Sequence, residues 1–383
     1  MQDKLNPQAD FSNPNSPSIY VHVPFCARPC AYCKFYKQRP TAGDISDYLD
    51  VLELEVRSFF QRNENVKPLS IFFGGGTPTS LNIAQLERLC EIFTDFAPVG
   101  EWTIEASPST IDSAKLRALK DVGVNRLSLG VQSFDESTLK ILGRAHSVAN
   151  AMKAIDAGLS VFENMNIDLI FGSLNQTEEM WRADLARAVS YPFKHISAYC
   201  LEFESATSCC AGVEKPIDAQ EKEIEFLEIA MESLQHAGFS QYEISNYAQK
   251  GWECVQNINT WRMGTWVGFG PSAASQFGGM RYQNPMDLNA WIKHVNNNSA
   301  SYENIVRLDD NELYSSALIF GLRMRSGVDL PTLKRRFPNA DFARHSPAIK
   351  NLADEGLLEL HAEILKLTEK GIPYADSIGS EFV

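Results

Sequence analysis

Short apolar runs alternate with amphipathic stretches over the first half of the chain. The apolar runs lie at 18–25, 69–73, 102–106, 126–130, 164–171 and 195–201. Between them apolar residues recur at helical spacing, as at 46–61 and 82–96, and Ser80 and Asp135 stand where helix caps are expected. This alternation predicts parallel β/α units around a buried sheet. Six units favour a partial (β/α)6 barrel, with a doubly wound sheet as the alternative.

The second half of the chain has a different pattern. A helical stretch at 219–237 is followed by an aromatic, glycine-rich segment at 242–277, which is too apolar for a linker. Further on, helical patterns at 311–322, 330–337 and 348–355 precede two short strand patterns at 357–361 and 364–367. Helices followed by a hairpin predict a winged-helix-like α+β module. We therefore predict a disordered lead-in at 1–17, a barrel with its aromatic extension at 18–300, and a C-terminal domain at 301–383.

Composition and charge narrow the possible partners. The 383 residues carry a net charge of −13, which disfavours nucleic acid and anionic membrane surfaces as partners. No apolar run reaches the roughly 18 residues of a spanning helix. The polar stretch at 1–17 lacks the basic start and apolar middle of a signal peptide, so we predict a cytoplasmic protein.

A cysteine cluster is the strongest chemical feature of the sequence. Three of the eight cysteines, Cys26, Cys30 and Cys33, lie within eight positions directly after the first predicted strand. Three thiolates can hold three irons of a 4Fe–4S cluster, whereas electron-carrier clusters take four cysteines. A missing fourth ligand leaves one iron open to a small molecule. The alternatives are a zinc site, for which His22 is the nearby fourth ligand, and buried apolar cysteines.

Polar residues and glycines also collect where the predicted strands end. Carboxyl ends of parallel strands meet on one face, so these residues should converge on one ligand site. Glycines there allow close backbone approach, and a carboxylate such as Glu105 can pair with a cationic ligand group or a neighbouring arginine. The residues concerned are Gly74, Gly75, Gly76, Thr77, Glu105, Gln132, Arg144 and Asp168.

Taken together, these motifs resemble the radical S-adenosylmethionine superfamily over nearly the whole chain. Within it they resemble the branch of oxygen-independent coproporphyrinogen III oxidase and the haem chaperone HemW. The segments that carry the resemblance are IYVHVPFC at 19–26, FGGGTP at 73–78, IEASP at 104–108, LGVQSF at 129–134, LGR at 142–144, NIDLIFG at 166–172 and YEISNY at 242–247. The resemblance implies reductive cleavage of S-adenosylmethionine to a 5′-deoxyadenosyl radical, with electrons from a reductant protein.

The resemblance also implies roles for individual residues. Contacts of the adenosylmethionine on the cluster match Tyr20, Gly75, Glu105 and the three cysteines. Contacts of a second adenosylmethionine in the oxidase match Tyr32, Gly76, Thr77, Gln132, Arg144 and Asp168. Tyr20 and Tyr32 have the alternative role of core aromatics.

Two differences from the oxidase distinguish between the two proteins of this branch. Phe35 stands where the oxidase has a further cysteine, and the lead-in is short, so a chaperone-like protein that binds haem and delivers it to an acceptor protein is favoured. The chaperones, however, carry a His-Asn-x-x-Tyr-Trp motif linked to haem, and this chain has QNINTW at 256–261, with Gln256 in place of the histidine. An amide is a poor haem ligand beside imidazole or thiolate.

The predicted haem region therefore comprises Cys254, Gln256 and Trp261, with Cys254 as the nearest soft donor or simply a small buried residue. His146, His195 and His294 are interpreted as structural or surface residues, and the pair Cys209–Cys210 is assigned no role. The alternative to a chaperone is a divergent radical enzyme acting on a tetrapyrrole or another substrate. A partner protein that has lost activity is disfavoured because every cluster and cofactor position is kept.

Overall fold

The structure is a computed structural model that describes residues 13, 15–96, 99–202, 219–297 and 302–383. Most of the predicted lead-in at 1–17, the pair Cys209–Cys210 and part of the predicted junction near residue 300 lie outside the described residues.

A parallel barrel wall forms the centre of the fold. Within the described ranges its six strands are β1 (Ser18–Val23), β2 (Ser70–Gly75), β3 (Glu101–Ala106), β4 (Arg126–Gln132), β5 (Asn164–Phe171) and β6 (His195–Cys200). Each pairs in parallel with the next. The predicted strands and the partial (β/α)6 barrel are confirmed, and the doubly wound alternative is wrong because the strand order follows the chain without reversal.

Helices cover the outer face of this wall. They are α1 (Ala42–Arg62), α2 (Ile83–Glu91), α3 (Ser113–Asp121), α4 (Glu136–Ile141), α5 (Val148–Leu159), α6 (Glu178–Val189) and α7 (Ala219–His236). Asp135 caps α4 as predicted. Ser80 does not cap α2, because it lies in a preceding 3-10 turn and Asn82 forms the capping box with Gln85 instead.

The chain after α7 adds strands to both edges of the barrel wall. Before the C-terminal module its elements are β7 (Ser240–Glu243), β8 (Asn246–Ala248), α8 (Val255–Trp261), β9 (Trp266–Phe269), β10 (Ala274–Phe277), β11 (Met280–Gln283), α9 (Leu288–Asn296) and β12 (Glu303–Arg307). β8 pairs with β6 at one edge, and β9 pairs with β1 at the other. β12 pairs with β11 in the large sheet, so a C-terminal domain that starts at residue 301 would include an edge strand of that sheet. The boundary after residue 300 stays a prediction.

The C-terminal module is small and mixed. It contains α10 (Asp310–Gly321), β13 (Val328–Asp329), α11 (Leu330–Arg336), α12 (Ser346–Asp354), β14 (Leu358–His361), β15 (Ile364–Leu367) and α13 (Ala375–Ser380). Its strands form a separate sheet in the order β13-β15-β14, which agrees with the predicted winged-helix-like module. None of the helices in the described part of the chain has the length and apolarity needed to cross a bilayer.

Polar and apolar side chains alternate along the barrel strands. On β4, Leu127 and Leu129 are buried in the apolar core cluster, whereas Arg126 and Ser128, which alternate with them, line a cavity. The same alternation places Ile167 in that cluster and Asn166 and Asp168 at the cavity on β5. The barrel therefore has an apolar outer layer beneath the helices and a polar interior.

Candidate functional site

A cavity of about 510 Å³ extends from the carboxyl ends of the barrel strands into the barrel interior. Most of the residues that the sequence singled out line it. They are Cys26, Cys30, Tyr32, Cys33, Gly75, Gly76, Thr77, Glu105, Gln132, Arg144, Asp168 and Cys254. Tyr20, Gln256 and Trp261 are not among its lining residues. The structure thus brings the predicted strand-end residues together from β2, β3, β4 and β5.

The cysteine loop lies at the mouth of this cavity. Cys26, Cys30 and Cys33 are free thiols. The Cys26 sulfur lies 3.5 Å from Oγ1 of Thr77, and Nη1 of Arg144 donates to the Cys30 sulfur at 3.1 Å. Burial raises the pKa of the Cys26 thiol. This donor set, three soft sulfurs on one loop beside an open cavity, fits a cluster with one iron left for a small molecule.

The zinc alternative lacks its fourth ligand. Both ring nitrogens of His22 are engaged: Nε2 lies 2.8 Å from the Tyr36 carbonyl oxygen, and Nδ1 lies 3.2 Å from the Tyr20 hydroxyl. The structure therefore disfavours a mononuclear zinc site here.

The glycines at the end of β2, Gly75 and Gly76, allow close backbone contact with the strand that leads into the cysteine loop. Gly75 has φ +101°, and a Cβ there would lie 2.5 Å from the His22 ring. A Cβ at Gly76 would lie 2.7 Å from the Val23 carbonyl oxygen. With glycine at both positions, the Gly76 N–H donates to the Val23 carbonyl oxygen at 2.9 Å. The Thr77 N–H donates to the Phe25 carbonyl oxygen at 2.8 Å. Only glycine allows this approach without moving the strand that leads into the loop.

Two buried carboxyl groups face the cavity below the mouth. Burial, together with the charge of Asp168, raises the pKa of Glu105 to about 8. Burial also raises the pKa of Asp168, although Asn166 Nδ2 donates to it at 2.7 Å. The raised pKa favours the protonated form of Glu105 at neutral pH. A cation bound beside it would favour the ionised form and release the proton.

This proton linkage gives a testable pH dependence for Glu105. Below about pH 6 the protonated carboxyl resembles an amide, so wild type and Glu105→Gln should bind S-adenosylmethionine with similar affinity. Above pH 8 the ionised wild type should bind about 1–3 kcal/mol more tightly, because the variant leaves a charged contact unpaired. Equilibrium dialysis across this range measures the effect, with the exposed Glu64→Gln as the control. Parallel curves for Glu105→Gln and wild type would remove Glu105 from the site.

Arg144 links the cavity wall to the cysteine loop. Its Nη2 donates to the Gly130 carbonyl oxygen and to Ser107 Oγ at 3.2 Å, and its Nη1 faces the Tyr32 hydroxyl at 3.5 Å. Nearby, Gln132 has φ +74° at the point where the pairing of β4 and β5 shifts register. A left-handed, non-glycine residue at a bulge is typical of a side chain re-aimed at a ligand site.

The three residues of the predicted haem region have different surroundings. Cys254 is buried and lines the cavity floor, where its sulfur donates to Glu101 Oε1 at 3.3 Å and burial raises its pKa to about 12. Gln256 accepts from Ser70 Oγ at 3.2 Å, beneath the amino end of β2. Trp261 packs edge-on against Phe320 in the C-terminal module, at a ring-centroid distance of 5.8 Å. α8 therefore lies across the barrel floor, at the opposite end from the cysteine loop.

Several cavity residues were missed by the sequence analysis. They include Arg126, Ser128, Asn166, Ser197, Asn246 and Asn257. Strict alternation of polar and apolar residues, as in RLSLGVQ at 126–132, is the signal that would have identified the strand residues among them. Two of the three scattered histidines have clear structural contacts, as predicted. His146 lies 3.1 Å from the Val131 carbonyl oxygen, and His195 lies 2.7 Å from Asn166.

Comparison with known proteins agrees with this geometry. The radical SAM superfamily model matches residues 20–188, and the HemN C-terminal domain model matches 308–374. The heme chaperone HemW of Bacillus subtilis is 31% identical over 362 residues, covering 92% of this chain and 96% of the relative. The chain belongs to the HemW family of radical SAM proteins.

Other relatives align with this chain over similar lengths. HemW of Synechocystis is 31% identical over 365 residues, covering 90% of this chain and 87% of the relative. The mitochondrial radical S-adenosyl methionine domain-containing protein 1 of Bos taurus is 29% identical over 403 residues, covering 99% and 91%. Among solved structures, Escherichia coli coproporphyrinogen III oxidase (HemN) superposes with a TM-score of 0.83 at 23% identity, covering 96% of this chain and 90% of that one. This last likeness confirms the predicted fold.

Proposed function

We propose that this HemW-family chain is a cytoplasmic haem chaperone that holds a 4Fe–4S cluster on Cys26, Cys30 and Cys33. It binds S-adenosylmethionine at the open iron, and it binds haem and passes it to an acceptor protein. The observation that carries the proposal is three free thiols at the mouth of a cavity whose strand ends present Gly75 and Glu105. When bound and reduced, such a cluster supplies the electron that cleaves the sulfonium of S-adenosylmethionine.

The protein's own residues would bind and orient the ligands and exclude water. Tyr20, Gly75 and Glu105 would contact the adenosylmethionine on the cluster. A second molecule of S-adenosylmethionine would contact Tyr32, Gly76, Thr77, Gln132, Arg144 and Asp168. Support for the first set comes from a hydrogen bond between the Gly75 backbone N–H and the Glu105 carboxyl group. This bond partly offsets the rise in the pKa of Glu105. Support for the second set comes from Arg144, which contacts both Tyr32 and the Cys30 sulfur.

Haem binding in this chain would not depend on an imidazole at position 256. The Gln256 side chain is a neutral amide whose oxygen is engaged by Ser70, so it is a weak iron ligand. Affinity would then come from burial of the porphyrin ring, at about 25 cal/mol per Å² before association costs. Trp252 and Trp261, two of the three tryptophans in the aromatic segment at 242–277, are half-buried and supply apolar surface.

The Gln256→His variant tests this account. We expect it to bind haem roughly tenfold more tightly than wild type, because an imidazole–iron bond adds at least about 1.4 kcal/mol. Its absorption spectrum should shift toward nitrogen ligation. Gln235→His, which adds an imidazole on the exposed face of α7, is the matched control and should behave as wild type. Equal affinity and identical spectra for wild type and Gln256→His would show that any iron ligand lies elsewhere.

The second candidate function is a radical enzyme acting on a tetrapyrrole, and the cavity of about 510 Å³ inside the barrel favours it. Phe35 argues against decarboxylation of coproporphyrinogen, because it occupies the position of the oxidase's further cysteine. Its side chain is 63% exposed beside the cysteine loop. Anaerobic incubation of the cluster-bearing protein with reductant, S-adenosylmethionine and coproporphyrinogen III separates the two functions. We expect no vinyl products, and their formation would rule out a pure chaperone.

A further inference from the structure

Arg126 is a buried cation at the floor of the barrel cavity. It is the first residue of β4, is only 2% exposed, and lies level with Thr103 of β3 in the strand register. It lines the same cavity as the cysteine loop. Its guanidinium donates no hydrogen bond to any of the described residues, and its Nε is buried without a hydrogen-bond partner. A guanidinium has five donors, so the group is far from satisfied.

The nearest carboxylate does not satisfy it. Within the described part of the chain, the ion-pair partner of Arg126 is Glu101, whose Oε2 lies 3.8 Å from Nε, too far for a hydrogen bond. The other oxygen of Glu101 is directed to the barrel floor, where it accepts from the Cys254 thiol at 3.3 Å and the Val255 N–H at 3.1 Å. Glu101 therefore offsets the charge of Arg126 but accepts no hydrogen bond from the Arg126 guanidinium.

Several other polar groups near Arg126 are already paired with one another. The ring nitrogens of His195 lie 2.7 Å from Asn166 Oδ1 and 2.8 Å from the Tyr242 hydroxyl, and burial lowers the pKa of His195, so this ring is neutral. Asp168 accepts from Asn166. A buried charge whose donors lack partners is costly, and such groups are retained where a ligand completes them.

We propose that Arg126 forms a carboxylate-binding subsite at the barrel floor, which takes a propionate-type carboxylate of a tetrapyrrole. The proposal rests on the proposed function for the identity of that ligand. A single planar guanidinium matches the two oxygens of a carboxylate. A phosphate dianion would meet only one such fork, which leaves part of its charge unpaired. The amino-acid carboxylate of S-adenosylmethionine is the other source of the same chemistry.

The test uses the full-length, anaerobically reconstituted protein and two metal-free probes, coproporphyrin III and its tetra-amide. Quenching of the six tryptophans reports binding. Wild type should bind the acid at least tenfold more tightly than the amide, and Arg126→Gln should bind both alike. Glu101→Gln, which removes the charge partner and keeps the subsite, should retain the preference. Arg126→Lys keeps a cation without the planar fork, so its preference should fall at least threefold even if Arg126→Gln does not fold.

The outcomes separate this subsite from the proposed function. Equal binding of acid and amide by wild type overturns the subsite, as does an unchanged preference in Arg126→Gln or Arg126→Lys. If wild type binds neither porphyrin, the tetrapyrrole part of the proposed function fails. The affinity of the Arg126 variants for S-adenosylmethionine then tests the subsite. A tenfold loss of its affinity in the Arg126 variants would then assign the subsite to the amino-acid carboxylate, and unchanged affinity would overturn it.

Discussion

Replacing Cys26, Cys30 or Cys33 by alanine should remove most of the bound iron and sulfide and abolish cleavage of S-adenosylmethionine. Each thiolate would hold one iron, and no other cysteine among the described residues lies in the loop that carries them. Two thiolates cannot retain a cluster that is already one protein ligand short of four. Iron and sulfide analysis after anaerobic reconstitution measures the loss, and the visible absorption of the cluster should disappear with it.

Cys90→Ala is the matched control for these variants. Cys90 is fully buried in the apolar core on α2 and does not line the cavity. Its truncation removes a small apolar side chain, so we expect a modest loss of stability and full iron content. Full iron and sulfide in any one of the three loop variants would mean that the cluster assignment to that cysteine is wrong.

A Gly76→Ala substitution should weaken S-adenosylmethionine binding roughly tenfold to a hundredfold. The added methyl group would lie 2.7 Å from the Val23 carbonyl oxygen and 2.8 Å from the backbone of Phe25, the residue next to Cys26. These contacts are with backbone atoms, so they can be relieved only by moving the cysteine loop or the turn after β2. Overpacking of this kind costs about 1–3 kcal/mol. Equilibrium dialysis with the reconstituted protein measures the change.

Gly43→Ala provides the comparison for Gly76→Ala. A Cβ at Gly43, in the first turn of α1, would lie 3.8 Å from Thr41 Oγ1, an ordinary contact distance. This variant should therefore match wild type in iron content and ligand affinity. If Gly76→Ala also matched wild type, the turn after β2 would not be the element that positions the loop.

The sequence by itself determined the features that depend on short-range spacing. Strand and helix periods repeat within one element, so the six barrel strands and the C-terminal hairpin follow from local pattern. The cysteine loop is likewise local, because eight consecutive positions contain all three thiols. Residues at strand ends could be placed on one face in advance, because carboxyl ends of parallel strands meet at the same edge.

Tertiary structure decided what depends on contacts between distant segments. The sequence does not show that α8 lies across the barrel floor, which places Cys254 in the cavity and turns Gln256 toward Ser70, 186 residues away. Nor does it show that β12 belongs to the large sheet. The raised pKa of Glu105 and the unsatisfied donors of Arg126 arise from burial, and burial is set by the closure of the whole barrel rather than by any neighbouring residue in the chain.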